Sequence, residues 1–180
     1  MRSTVRYTVL LVCTAAALAQ MRPQSKTVAD SINYIWREEA KDFVSLADAM
    51  PEDKWDFKPT GGAFKDVRTF REQVKHVACA NFAFASKALG EKTPDRCDQG
   101  GPDPSRSKAE ILKYLRDSIE KMDRAIATTN EKNMLAPIQG PYAGDNRLSI
   151  LSSAVWHIAD HYGQLIEYLR MNGILPPASR

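Results

Sequence analysis

Four stretches of roughly 20 to 25 residues, in which apolar side chains return every third or fourth position, alternate with connections crowded with proline and glycine. That pattern leaves the chain few folds to choose from. In residues 25–49, Val28, Ile32, Ile35, Trp36, Phe43, Leu46 and Ala47 form the stripe, and Glu38, Glu39, Lys41 and Asp42 lie between them. Pro51 then pushes Met50 away from helical geometry and ends the segment. In residues 67–89 the inner face is Val67, Phe70, Val74, Val77, Ala78, Asn81, Phe82 and Ala85, with His76 in mid-run and Gly90 as the stop. Residues 108–128 carry Ile111, Leu112, Leu115, Ile119, Met122 and Ile126 behind an N-cap at Ser105 or Ser107. Residues 148–171 carry Leu151, Val155, Ile158, Leu165, Ile166 and Leu169, and Asn172-Gly173 closes them.

The connections are too rich in proline and glycine for strands, so the expected fold is all-α, a four-helix bundle. Connections near 15 residues allow a long crossover, and helix adjacency does not follow from chain order. Trp55 and Phe57, in the first connection, are expected to cover one end of the core.

The N-terminus departs from this pattern. Arg2 and Arg6 precede an apolar run from Val9 to Leu18, and Ala17-Leu18-Ala19 is a small-x-small site. Residues 1–19 read as a secretory signal removed before Gln20, leaving one domain over residues 20–180 in a secreted or periplasmic protein with no stable membrane anchor. Cys13 lies too early, behind Leu11 and Val12, to be a lipidation site. Without that segment the formal charge falls from +3 to +1, and no Lys/Arg stripe remains to follow phosphates, so nucleic acid is not an expected partner. Cys79 and Cys97 remain, either as free thiols or as a disulfide worth ~3 kcal/mol in the chain-entropy picture.

The chain has three histidines, His76, His157 and His161, all inside helical segments. His157 and His161 are four residues apart, hence on one helix face and one turn apart. Three neutral imidazoles around a divalent ion leave a fourth position open, the arrangement of a catalytic site, where the pKa of water falls toward ~7. Competing chemistries lack their residues. The positions three before the histidines are Gln73, Ala154 and Ile158, so the Glu-x-x-His of di-iron bundles is absent. So are His-Glu-x-x-His, Cys-x-x-Cys and Gly-x-Ser-x-Gly.

Two segments carry a family likeness: Thr69-Phe70-Arg71-Glu72-Gln73-Val74-Lys75-His76, and His157-x-x-x-His161-Tyr162-Gly163-Gln164 with the closing Gly173-x-x-Pro176-Pro177-x-Ser179. With them the chain resembles the DinB-like family over essentially its whole mature length. The resemblance implies a four-helix bundle with a long crossover, often a homodimer. It also implies a divalent metal, commonly zinc or nickel, held by His76, His157 and His161. Characterised relatives include thiol-dependent transferases and isomerases. Imidazole ligands by themselves suit zinc, nickel, copper and iron alike, and manganese also stays open.

Around the triad, Gln164 is placed to reach the same face as a supporting hydrogen-bond partner or substrate contact, and Asp160 to orient an imidazole or to face solvent. Trp156 and Tyr162 are expected to pack in the core or an interface. Tyr34, Glu38 and Glu39 are candidates to supply an acid or base. The expected function is activation of water or a thiol for hydrolase or thiol-transferase chemistry on an unspecified small molecule. The alternatives are a metal-binding or stress-related bundle without turnover, and a structural or interaction bundle without metal.

Overall fold

The computed structural model describes residues 25–94, 97, 107–138 and 145–179. The signal sequence and Cys13 expected above lie outside these residues. Four helices form: α1 (Val28–Ala49), α2 (Phe70–Leu89), α3 (Lys108–Ala127) and α4 (Arg147–Met171). Among the described residues there is no strand, only an isolated bridge between Pro137 and Asn146. None of the helices is long and apolar enough to cross a membrane.

Each helix begins at a reciprocal cap. Thr27, Thr69, Ser107 and Asn146 accept from the backbone three residues on, and the side chains of Asp30, Glu72, Glu110 and Ser149 reach back. Of the two serines expected to cap α3, the capping one is Ser107. At its far end α2 stops on Gly90, whose φ of 71° suits glycine and brings its N–H to the carbonyls of Ser86 and Lys87.

Side-chain pairs fix the directions. Trp36 Nε1 donates to Asp123 Oδ1 at 3.1 Å, and Lys108 Nζ donates to the Met50 carbonyl at 3.0 Å, so α1 and α3 are antiparallel. The Phe82 and Tyr114 rings lie 5.0 Å apart and Lys121 donates to Ser86 at 2.7 Å, so α2 and α3 are parallel. Gln73 meets Gln164 at 3.0 Å and Phe84 meets His157 at 5.6 Å, so α2 and α4 are antiparallel. Both α1 and α2 pack on α3 and α4, and each sits diagonally across from the other. Parallel neighbours that follow each other in the chain require the connection to return the length of the bundle, so the link from the end of α2 to the start of α3 is the long crossover.

A disulfide between Cys79 in α2 and Cys97 in the crossover, with Cα atoms 5.3 Å apart, resolves the two cysteine alternatives. Trp55 is fully buried, donates to the Met50 carbonyl at 2.8 Å and packs edge-on against Phe70, and Phe57 packs against Tyr168. Both cover the core as expected. One expectation fails. Ile35 is 48% exposed, because the stripe through Ile32, Trp36, Ala40 and Phe43 leaves it to one side. For Trp156, expected in the core or an interface, 67% exposure excludes the core, because Ala154, Ile158, His161 and Leu165 turn the other face of α4 inward.

Candidate metal centre

His76 comes from the middle of α2, one turn before Cys79, and His157 and His161 from the middle of α4. Because α2 and α4 run antiparallel in contact, the three rings meet between them. Ring centroids lie 5.1 Å apart for His76–His157, 5.0 Å for His76–His161 and 4.5 Å for His157–His161. One ligand nitrogen from each can be chosen so that all three lie within 4.8 Å of one another. The Nε2 atoms of His76 and His157 are 3.2 Å apart. Two nitrogens bound to one tetrahedral zinc at ~2.0–2.1 Å would stand about 3.3 Å apart, so this spacing fits a shared ion.

The electrostatics favour neutral rings, which are the metal-binding form. Burial pushes His157 down to about 3, and the neighbouring His161 and His76 and the charge of Arg68 add to it. His76 is pushed down to about 4, first by burial and then by Arg68 and His161, against the backbone carbonyl of Cys97. His161 is lowered by burial despite the opposing Asp160 carboxylate, and Arg68 lowers it further. The Nδ1 atoms of all three rings are buried without a hydrogen-bond partner among the described residues. One buried and two half-buried imidazoles whose Nδ1 atoms lack partners are costly unless something else engages them. A cation would, so the donor set suits a divalent metal.

The remaining candidates fall as follows. Gln164 accepts from Gln73 at 3.0 Å and donates to Asp160 at 2.8 Å, a chain of amides and carboxylate beside the triad. Asp160 is exposed, and it accepts a hydrogen bond from Gln164 rather than from an imidazole. Glu39 lies with Asp42 near Tyr162, at the contact of α1 with α4, and burial raises its carboxyl. Tyr34 and Glu38 line a shallow groove with Arg37 along α1. Sequence reasoning misses Gln73 and Arg68. The available signal for Gln73 was an amide on an apolar face one turn before His76; for Arg68, in a connection, there was none.

No curated protein matches the sequence. A DinB-like protein from Bacillus cereus superposes with a TM-score of 0.69 at 15% identity, covering 86% of this chain and 98% of that one. A second DinB-like protein, from Bacillus subtilis, gives a TM-score of 0.62 at 19% identity, covering 79% and 92%. These likenesses show a shared fold. The DinB superfamily profile matches residues 35–165. The chain therefore belongs to the DinB superfamily.

Proposed function

We propose that the protein is an exported metal-dependent enzyme in which His76, His157 and His161 hold one divalent ion, zinc or nickel in the first instance, with iron or manganese as further candidates. The observation that carries this reading is the convergence of the only three histidines in the chain, their ligand nitrogens within 4.8 Å and their rings held neutral by burial. A divalent ion bound there supplies Lewis acidity, which lowers the pKa of a water or thiol that meets it. The chain's own residues do the rest. The two helices fix the rings in one register, and the Gln73–Gln164 bridge ties α2 to α4 one turn away on each. The disulfide holds Cys97, whose carbonyl faces His76, against α2.

The reaction is hydrolysis or thiol transfer on a small molecule, and nucleic acid is not among the partners. Export is supported by the apolar N-terminal run and by the joined cysteines, which suit an oxidising compartment. A homodimer, the common state of the family it resembles, belongs to the same proposal. Elemental analysis of protein purified without a histidine tag is the deciding experiment. Near one equivalent of metal, lost in His157→Ala, supports the site; no metal after reconstitution returns the molecule to a structural bundle. Turnover on thiol–electrophile pairs and on esters, compared with the metal-free form, separates an enzyme from a bundle that only sequesters metal.

A further inference from the structure

A cavity of about 610 Å³ opens at the end of the bundle where α2 begins and α4 ends, a volume typical of small-molecule sites. Its walls do not include the histidines. Gln73 and Gln164, each three residues from a histidine of the triad on its own helix, form the side that faces it, so the cavity lies about one helical turn from the rings. Pro59, Phe64, Val67 and Met171 give it an apolar body.

Two polar features point to the ligand. Gln73 is only 4% exposed, lines the cavity and spends its amide N–H on Gln164, yet its Oε1 is buried without a partner among the described residues. An orphaned buried acceptor asks for a donor. Arg68 also lines the cavity, and no carboxylate among the described residues lies within ion-pair distance of its guanidinium. Its backbone is anchored, because Tyr168 donates its hydroxyl to the Arg68 carbonyl at 3.0 Å, so the side chain is presented from a fixed base. Its charge is felt at all three imidazoles, which places it on the triad side.

The backbone N–H groups at the start of α2 cannot take an anion instead. Those of Thr69 and Glu72 are used in the capping box, and those of Phe70 and Arg71 go to the carbonyls of Phe57 and Trp55. The charge count limits the anion as well. Glu167 is paired with Arg170 at 2.7 Å, and of the other charged wall residues Arg68 is the one cation and Asp66 an opposing carboxylate, so a phosphate dianion is disfavoured more than a singly charged carboxylate. Arginine meets a carboxylate with two parallel hydrogen bonds.

We propose that the cavity binds a small organic acid, its carboxylate on Arg68, its apolar chain along Phe64, Val67 and Met171, and a hydroxyl or N–H on Gln73 Oε1. This names the substrate class of the histidine centre, and in that respect it rests on the function proposed above.

The test compares hexanoate with hexanamide, equal in length and differing in charge, by calorimetric titration of the full-length protein with and without zinc. Hexanoate binds at least about tenfold more tightly than hexanamide, the ratio expected of one charge-assisted contact. Arg68→Ala brings the two within about twofold while zinc content and thermal unfolding stay as in the parent, because the carbonyl that holds Tyr168 is retained. Arg68→Lys keeps part of the preference. Equal affinities in the parent protein, or a preference that survives Arg68→Ala, overturns the proposal. A preference seen only with zinc and indifferent to Arg68 also overturns it, since the carboxylate would then be binding the metal. Should the protein take up no zinc, the metal reading fails, and the zinc-free titration still decides this one.

Discussion

Nε2 of His76 and Nε2 of His157 stand 3.2 Å apart, although 81 residues separate them in the chain. Both rings are held neutral, so this is a short approach of two groups that share only a proton or a cation between them. Replacing either ring should therefore abolish tight metal binding while leaving the bundle folded. We expect zinc at about one hundred times its dissociation constant to stabilise the parent by roughly 2.7 kcal/mol, with a matching rise in Tm, and to do nothing for His157→Ala. An equal rise in the variant would place the metal elsewhere.

The metal-free protein should lose stability as pH falls. In the unfolded chain the histidines accept protons near 6.5, whereas the folded forms of His76 and His157 resist until about 4 and about 3. Between those limits the unfolded state binds more protons, so stability drops with decreasing pH, and the loss from these groups levels off once the folded rings protonate. Thermal melts between pH 7 and pH 4 should show the decline, and His157→Ala should flatten it. A parent curve flat through this range would mean that the rings are not desolvated as described.

Reduction of Cys79–Cys97 opens a covalent loop of 18-residue separation. The chain-entropy relation puts its contribution at about 3 kcal/mol. Cys97→Ser should lower the urea midpoint accordingly, with little change in helical circular dichroism, because the caps of α2 and α3 do not involve the bridge.

Asp123 accepts from the fully buried Trp36 with one oxygen and from Arg37 with the other, both at 3.1 Å. Asp123→Ala leaves the indole N–H of Trp36 inside the bundle without its acceptor and should cost about 1–3 kcal/mol. Arg37→Ala, at the exposed end of the same carboxylate, should cost under about 1 kcal/mol. Urea unfolding of the two variants checks the order; equal losses would mean that the ion pair, not the indole bond, matters.

Much of this was legible in the residues. The period of the apolar positions located all four helices, and Ser107 is one of the two caps expected for α3, whereas α2 starts at Phe70 behind Thr69, three residues after the expected start at Val67. The histidines could be singled out because the chain holds three, all in helices. What local pattern cannot supply is the relation between helices. Periodicity says that Ile32 and Ile35 both lean inward, and only packing against α3 and α4 buries one and exposes the other. The same holds for Arg68, whose proposed role comes from a cavity that closes only where the connection before α2 folds against Gln73 and the end of α4. Nothing within a few residues of it in the chain announces that.

The partner that completes the triad with α2 is α4, the last of the four helices in chain order. A nascent chain, or a fragment cut before residue 147, owns one imidazole and nowhere to seat an ion. If the triad holds an ion as proposed, loading is thereby reserved for molecules whose fourth helix has already docked, and ion content would serve as an assay of finished tertiary structure.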